Sequence, residues 1–450
     1  MTMRWKEIGF EGWGRGPSPG GLAARPERRA GVGEALAAAR ASGSVVLARG
    51  AGRAYGDAAR PAGGRAILTA RLDRMLAFDT STGILECEPG VTFRDLVDTF
   101  VPRGFVPPVS PGTAWVTVGG AIAADVHGKN HDRHGSFGDH VVWLDVMLAD
   151  GRTLRASMKD NADLFRATIG GMGLTGIVVR AAFRLLPGTG RLAVRTRRIA
   201  DLDGFFAAFA EARAASTFSV GWVDALARGR KLGRGVFETA EFMPTAGAAP
   251  AARKPIPVPF DLPGFALSSA GIRVFNEIYF RRVPAAGRES TRGLDEFFYP
   301  LDSLSRWNRL YGKRGFYQFQ SVVPDAGAPG ATRAMLETVS AGGNASFLAV
   351  LKTLGGEGRG HLSFPMRGVT LALDIPRAAG ADELMARLER IARDAGGRIY
   401  LAKDATMSAD TFAATYPKLP EFETALAKYD PQGLFASDQS RRLGIGRRPA

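Results

Sequence analysis

The sequence lacks the cysteine pairs typical of proteins in oxidising compartments and the long apolar helix of a membrane-spanning protein. It has one cysteine, Cys87, among 450 residues, which excludes an internal disulfide and a multi-cysteine metal site and is typical of a reducing compartment. The opening residues MTMRWKEIGFEGWGRG contain no apolar core of a secretory signal. The uncharged run 104–124 contains Pro107, Pro108 and Pro111, which disfavour a spanning helix. We expect a cytoplasmic protein, and contact with the inner face of a membrane remains compatible with the sequence.

Negative charge is also in short supply. The chain has 44 Asp and Glu residues against 59 Lys and Arg, a net charge of +15. This excess favours anionic partners such as phosphate esters or acidic lipid headgroups. The basic residues are dispersed and form no RNA-binding signature, so we predict no nucleic-acid partner. Composition alone still permits a non-enzymatic basic protein that binds nucleic acid or a membrane.

The segment 111–141 combines paired glycines with four of the chain's five histidines. Gly119 and Gly120 lack a β-carbon, so the backbone of residues 117–120 can approach a ligand closely. His127 and Lys129 follow directly and would lie at the edge of that ligand. We interpret the segment as a cofactor cradle, and a glycine-rich surface loop is the alternative.

Two further glycine motifs flank strand-like segments. The turn GAGRAYGD follows the strand-like SVVLAR and is typical of a phosphate-binding backbone, although a tight connecting turn would look the same. It lacks the Gly-Lys-Ser/Thr ending of a Walker loop. The motif GMGLTG matches G-x-G-x-x-G, but a helix precedes it and a strand follows it, the reverse of a Rossmann context. We reject a Rossmann domain and expect these glycines to approach a ligand.

Short strands and helices alternate along the rest of the chain and predict an α+β fold in two domains. The segment NADLFRAT, the segment 382–395 and a helix opened by Thr92 with Asp95 are predicted helices, and an Asp150-Gly151 turn predicts a hairpin. Near Arg191 the predicted pattern changes to alternating strands and helices, and we expect the second domain to begin there. Residues 245–269 are rich in Pro, Ala and Gly and predict a mobile loop or lid. Gln318 and Gln320 share one strand face, where they would bind a polyol or face solvent.

These pieces together resemble the FAD-linked oxidoreductases of the vanillyl-alcohol oxidase/PCMH superfamily. The resemblance runs nearly end to end and is carried in order by RGAGRAYGD, TVGGAIAADVHGKNH, GSFGDHV, ADLFRATIGGMGLTGIV, GWVDALARGRKLGRG, NRLYGKRGFYQFQSVVP, HLSFPM, YLAKD and LFASDQSRRL. It implies a PCMH-type FAD-binding domain of two α/β subdomains and a substrate-binding domain built on an antiparallel sheet. The implied boundaries are 1–190 and 398–450 for the FAD domain and 191–397 for the substrate domain.

The resemblance also assigns expected site residues. FAD is expected at Arg49, Gly50, Ala51, Gly52, Arg53, Ala54, Tyr55, Gly56, Gly112, Thr117, Val118, Gly119, Gly120, Ala124, Asp125, Val126, His127, Ile177 and Tyr400. The expected catalytic residues are Lys403, Tyr55, His127, Lys129 and Gln320. The expected substrate contacts are Lys129, Trp222, Gln318, Gln320 and Lys403. The sequence does not single out a base among them.

The branch of the superfamily with these motifs oxidises the 2′-hydroxyl of a polyprenylphosphoryl-β-D-ribose to the keto sugar, the first half of an epimerisation to an arabinose donor. The resemblance therefore implies a lipid-linked phosphosugar substrate and an NADH-dependent keto-reductase as a partner. An aldonolactone or alditol oxidase acting on soluble sugars is the alternative within the same chemistry. Ala372 and Phe298 depart from the cysteine and tyrosine that some relatives carry, which bears on substrate identity.

The histidines offer a different site. His127 and His131 are four residues apart, as on a zinc-binding helix. Gly128 and Gly135 disfavour the helix that this spacing requires, and no H-E-x-x-H motif is present. We therefore predict no metal.

We predict that FAD is bound non-covalently. Many relatives carry the histidine that links to FAD just after the Gly-x-Gly of the first turn, and Arg53 stands there in this chain. Acid precipitation is the measurement, and the yellow flavin should appear in the supernatant. Flavin retained in the denatured pellet would contradict the assignment of this turn.

Overall fold

A computed structural model describes residues 4–61, 63–244, 254–263, 267–343 and 347–446. The strands in this part of the chain are β1 Lys6–Gly9, β2 Gly20–Ala24, β3 Val46–Arg49, β4 Arg65–Leu68, β5 Met75–Asp79, β6 Ile84–Cys87, β7 Phe105–Val106, β8 Val141–Met147, β9 Thr153–Ser157, β10 Ile177–Arg184, β11 Leu186–Pro187, β12 Arg191–Ile199, β13 Phe218–Val223, β14 Gly235–Phe242, β15 Ile256–Pro257, β16 Arg288–Gly293, β17 Leu304–Ser305, β18 Phe316–Pro324, β19 Ala349–Leu354, β20 Gly368–Pro376 and β21 Arg398–Ile399. The helices are α1 Arg29–Ala41, α2 Phe93–Phe100, α3 Val118–Ala123, α4 His131–His134, α5 Ala162–Thr168, α6 Leu202–Ala215, α7 Ser269–Arg281, α8 Leu294–Phe298, α9 Ala328–Gly342, α10 Ala381–Asp394, α11 Ala409–Thr415, α12 Leu419–Tyr429 and α13 Asp438–Leu443.

Three larger sheets organise these elements. The first has the order β1-β2-β4-β3, with β2, β4 and β3 parallel, and the second is the antiparallel sheet β5-β6-β10-β8-β9. The third is an antiparallel sheet of eight strands in the order β16-β12-β14-β13-β19-β20-β18-β21. Two smaller α/β layers before a large antiparallel sheet confirm the predicted α+β class.

Local sequence signals decide several elements. Thr92 caps α2 reciprocally with Asp95: the Asp95 amide donates to Thr92 Oγ1 over 3.2 Å, and the Thr92 amide donates to an Asp95 oxygen over 2.8 Å. The Asp150-Gly151 turn joins β8 and β9 as an antiparallel hairpin, and Gly151 adopts φ +91°. The predicted helices at 161–168 and 382–395 correspond to α5 and α10.

Packing explains several buried positions. On α10, Glu389 is buried although it is charged, and it accepts hydrogen bonds from the amide and hydroxyl of Ser408. In GMGLTG, a β-carbon on Gly171 would lie 1.9 Å from the Ala167 carbonyl oxygen, and one on Gly176 would lie 2.7 Å from that of Met147. Packing against the protein's own backbone therefore requires glycine at both positions, and Met172 between them lines the cavity described below.

The C-terminal segment returns to the beginning of the chain. The Val46 amide of β3 donates to Leu434 O over 2.8 Å, and the Ala436 amide donates back to Val46 O over 3.1 Å. The Arg442 guanidinium, on α13, donates to both oxygens of Asp57 at 2.9 Å and to Asp404 at 2.7 Å. One arginine thus joins the first glycine turn, the turn after β21 and the last helix.

The predicted loop 245–269 falls partly outside the described residues, which omit 245–253 and 264–266. In the described part, β15 pairs in parallel with β17. Asp261 forms ion pairs with Arg15 at 2.5 Å and with Arg309 at 3.2 Å. Residues 254–263 are therefore held against the N-terminal segment and the segment after β17. None of the helices in the described ranges is long and apolar enough to cross a membrane.

Replacing Arg442 by methionine should destabilise the protein by about 3 kcal/mol, because the buried carboxylates of Asp57 and Asp404 lose their shared partner. The matched control is Arg393→Met, whose exposed pair with Asp394 should contribute no more than about 0.5 kcal/mol. Urea denaturation followed by circular dichroism measures both. Equal losses in the two variants would contradict this role of Arg442.

Candidate active site

A cavity of about 380 Å³ lies where the first glycine turn, the segment 111–129, the eight-stranded sheet and the turn after β21 meet. Most residues expected at the site line it. From the cofactor set these are Arg49, Gly50, Ala51, Gly52, Arg53, Ala54, Tyr55, Gly112, Thr117, Gly120, Ala124, Val126, His127 and Tyr400. The expected substrate contacts Lys129, Trp222, Gln318, Gln320 and Lys403 line it as well. The fold thus brings together residues that are up to about 350 positions apart in the chain.

Five residues of the expected cofactor set do not line this cavity. Val118 is fully buried in the main core, and Ile177 is fully buried in the core between α1 and β10. Gly119 packs against Pro89, and Gly56 packs against the Asp404 carbonyl. Asp125 is buried and accepts hydrogen bonds from the Gly138 amide at 2.8 Å and from the Ser363 hydroxyl. These residues support the lining from behind.

The first glycine turn packs directly on the segment 111–129. A β-carbon on Gly50 would lie 2.2 Å from Thr117 Oγ1, and Gly52 adopts φ +65°, so both positions require glycine. Arg49 donates to the carbonyls of Ala59 and Glu11, and so stabilises the turn. The first glycine turn and the segment 111–129 therefore form one continuous part of the cavity lining.

Arg53 stacks its guanidinium 4.1 Å from the Trp13 ring centroid. Burial lowers its pKa, and the negative charge of Asp302 partly opposes this. Its Nε is buried without a hydrogen-bond partner among the described residues. A half-buried cation with an unpaired, buried Nε favours an anionic group beside this turn.

His127 lies between the cradle and the sheet. Gln320 Nε2 is 2.9 Å from His127 Nε2 and donates a second hydrogen bond to Thr370 Oγ1 over 3.1 Å. Burial, with the charge of Lys352, lowers the pKa of His127 well below its usual value, so the ring is neutral. With Nε2 accepting from Gln320, the proton resides on Nδ1, which has no partner in the described part of the chain. His127 therefore has a free donor for a cofactor or substrate.

Three lysines line the cavity from three parts of the chain: Lys129, Lys352 and Lys403. Burial lowers the pKa of Lys129 and of Lys352 to about 8. Lys403 Nζ lies 3.8 Å from the Tyr55 ring centroid. Burial lowers its pKa too, while the carboxylate of Asp374 acts in the opposite direction. Three ammonium groups around one cavity strongly favour an anionic ligand.

Lys352 was missed from the sequence. It lies on β19 in AVLKTL, where Val350 and Leu354, the residues on the same side of the strand, are apolar. A lone lysine in a largely apolar strand could have been predicted as a functional residue, since lysine is rarely buried without a role. The sequence does not show that Lys352 faces a cavity. That orientation follows from the pairing of β19 with β13 and β20.

The two glutamines are buried on β18, which lies between β20 and the edge strand β21, so the solvent-facing alternative is wrong. Gln318 donates to Asp374 over 2.6 Å, and Tyr311 donates to the other oxygen of Asp374 over 2.8 Å. Gln318 Oε1 is buried and has no partner among the described residues. Asp374 thus orients Gln318 and also offers negative charge near Lys403.

The zinc-helix alternative is contradicted by the local structure. Helix α4 begins at His131, so His127 and His131 do not share a helix. His131 Nδ1 accepts from the Gly355 amide at 3.0 Å, and His140 Nε2 contacts the His134 carbonyl at 2.8 Å. No group of three or more histidine, cysteine or acidic residues is arranged to hold a metal in the described ranges.

Comparison with known proteins gives two family matches. Residues 21–157 match the FAD binding domain family, and residues 370–443 match the D-arabinono-1,4-lactone oxidase family. The first match contains the glycine turn and the cradle. The second contains the turn that carries Tyr400 and Lys403.

Individual relatives extend the similarity over the whole chain. Decaprenylphosphoryl-β-D-ribose oxidase of Mycolicibacterium smegmatis is 36% identical over 96% of this chain and 97% of that protein. An uncharacterised protein of Streptomyces coelicolor is 34% identical over 79% of this chain and 100% of its own length. Mouse L-gulonolactone oxidase is 29% identical over 42% of each chain.

The lysines predict a pH dependence of anion binding. Because the ammonium form is lost above the pKa, sulfate affinity for the cavity should fall about tenfold as the pH rises from about 7 to about 9. Sulfate keeps its charge over this range, so the change reports the protein. Titration calorimetry is the measurement. Lys352→Met should weaken the pH dependence of sulfate affinity, and the control Lys418→Met, at an exposed lysine, should leave it unchanged. A wild-type affinity that does not vary with pH would contradict the role of Lys129 and Lys352.

Proposed function

The chain belongs to the family of FAD-linked oxidoreductases that includes decaprenylphosphoryl-β-D-ribose oxidase, and on this premise we propose that it oxidises the 2′-hydroxyl of a polyprenylphosphoryl-β-D-ribose to the 2′-keto sugar. It is an FAD-dependent oxidoreductase. The observation that carries the proposed substrate is the convergence of Lys129, Lys352 and Lys403 on one cavity of a chain that matches this relative over almost its whole length.

The residues present fit FAD. Gly50 and Gly52 bring the backbone of the first turn into the cavity lining, and Arg53 beside them is a half-buried cation, with an unpaired Nε, suited to a pyrophosphate. His127 Nδ1 is an unpaired buried donor suited to the polar edge of a flavin. When bound, FAD supplies the acceptor for the electrons and hydrogen taken from the carbinol carbon.

The protein's own groups then have two tasks. They must orient the sugar, for which the buried amides of Gln318 and Gln320 and the Lys403 ammonium group are suited. They must also accept the hydroxyl proton, which a neutral lysine amine can do: burial lowers the pKa of Lys129 and of Lys352 to about 8, so either can exchange a proton near neutral pH. The carboxylate of Asp374 favours the charged form of Lys403. Burial raises the pKa of Tyr55 and of Tyr400, so both phenols stay protonated and act as donors or packing surfaces.

An anionic substrate agrees with the electrostatics of the cavity. Glu238 also lines it, but this carboxylate already pairs with Arg292 at 2.9 Å. Asp374 is hydrogen-bonded to Gln318 and Tyr311. Three lysines are thus only partly balanced by acids, and a phosphodiester would supply the missing negative charge. A neutral sugar would leave them unbalanced.

An aldonolactone oxidase is the second candidate, since residues 370–443 match that family. Turnover of soluble aldonolactones, with no flavin reduction by a prenylphosphoryl ribose, would favour it. A non-enzymatic basic protein is disfavoured by the family assignment.

We further propose that the product passes to an NADH-dependent keto-reductase and that the enzyme works at the cytoplasmic face of the membrane. The first follows from the keto sugar, which requires reduction to give the epimer. The second follows from a lipid-linked substrate and a net charge of +15, which favours an anionic surface.

Lys403→Ala should keep FAD but slow flavin reduction by a prenylphosphoryl ribose by a factor on the order of a hundred, because the ammonium group orients the sugar and stabilises developing negative charge. Lys403→Arg should restore little, since a planar guanidinium does not replace a compact ammonium over Tyr55. Anaerobic stopped-flow absorbance is the measurement, with Lys418→Ala as the exposed control. Wild-type reduction rates in the alanine variant would remove Lys403 from the mechanism.

A further inference from the structure

Exposed apolar side chains are concentrated in one part of the molecule. Among the described residues, ten large apolar side chains are exposed, and five of them belong to residues 256–278. Ile256, Phe260, Val274 and Ile278 are 61–67% exposed, whereas the five located elsewhere are at most 44% exposed. Apolar surface of this size grouped in one segment is typical of an interaction site.

Helix α7 carries the centre of this surface. Its buried residues, Ile272 and Asn276, lie on one side of the helix. Val274 and Ile278, four residues apart, lie on the opposite side, and Phe275 lies at the edge of that side, so the three form an exposed apolar stripe. A helix that buries only one face usually exposes polar residues on the other, and α7 exposes an apolar stripe.

Basic residues flank the stripe. Arg273, Arg281 and Arg282 are exposed, and Glu277 is the one acidic residue of the helix. Glu277 is already paired with Arg281 and with Arg234 at 2.7 Å. The protein also has a net charge of +15. An apolar stripe flanked by arginines complements a surface with anionic headgroups over an apolar interior.

The stripe lies next to the cavity. Tyr279, the residue after Ile278, lines the cavity and has its ring centroid 4.5 Å from that of Trp222, another lining residue. Phe275 stacks on Tyr279 with a centroid distance of 5.8 Å. On the other side, β15, which carries Ile256, pairs with β17, shortly after the lining residue Leu301. Both apolar elements therefore adjoin the lining of the cavity.

We propose that the outward face of α7, formed by Val274, Phe275 and Ile278 with the flanking arginines, docks on the surface of an anionic phospholipid bilayer. Docking in this orientation brings the cavity lining at Tyr279 to the membrane surface, so that a lipid-linked substrate can present its phosphosugar while its chain stays in the lipid. The proposal rests on the proposed function for its purpose, but binding to lipid can be measured without turnover.

The test uses the FAD-loaded full chain and sedimentation with two vesicle types, phosphatidylcholine alone and phosphatidylcholine with about 30% phosphatidylglycerol. The wild type should bind the anionic vesicles, and V274Q/I278Q should bind them at least about tenfold more weakly. The matched control is L76Q/V142Q, which changes two exposed apolar residues on the sheet β5-β6-β10-β8-β9 and should bind like the wild type. Flavin content shows that each variant is folded.

Three results would overturn the proposal: a wild type that does not bind anionic vesicles, equal binding by the wild type and V274Q/I278Q, or a wild-type dimer that V274Q/I278Q converts to a monomer without a change in lipid binding. Flavin reduction by a short, detergent-soluble prenylphosphoryl ribose is measured in parallel. V274Q/I278Q should be reduced at the wild-type rate. Vesicle binding without any such reduction would reject the substrate and keep the docking surface.

Discussion

The packing of the first glycine turn on the turn after β21 is the contact on which the site depends. The Tyr55 amide donates to Ala402 O over 3.0 Å, and a β-carbon on Gly56 would lie 1.9 Å from the Asp404 carbonyl oxygen. Arg442 closes this contact by binding Asp57 and Asp404 together. Because of this contact, Lys403 lies over the Tyr55 ring. The segments 48–55 and 400–403, from opposite parts of the chain, contribute together to the cavity lining.

A second constraint is the burial of like charges. Lys129, Lys352 and Lys403 are close enough that their interactions and burial lower the pKa values of Lys129 and Lys403, and burial alone lowers that of Lys352. Nearby acids and aromatic rings offset only part of this cost: Lys129 lies 4.2 Å from the Phe297 ring centroid, and Asp374 is shared with Gln318 and Tyr311. Burial of these like charges lowers the free energy of unfolding, and a bound anionic ligand would offset this cost.

The cavity lining combines three kinds of side chain. Neutral His127 and the two glutamines are buried, and the three lysines are half-buried. Tyr279 and Leu301 also belong to the lining and lie close in the chain to the exposed apolar residues of α7 and to β17, the partner of β15. A lining of this composition suits a ligand with a polar, charged head and an apolar tail.

The sequence by itself determined the features that depend on near neighbours and on ordered motifs: the Thr92–Asp95 cap, the Asp150-Gly151 hairpin, the glycine turn, the α+β class and the FAD-linked family. Tertiary structure decided which of the predicted residues face the cavity. Val118, Asp125 and Ile177 turned into the core, Glu389 became buried against Ser408, and Lys352 entered the site from a strand that no motif marks. Strand pairing and packing set those orientations, and neither is encoded in local spacing, because the contacting residues belong to different elements: 238 positions separate Asp125 from Ser363, and 19 separate Glu389 from Ser408.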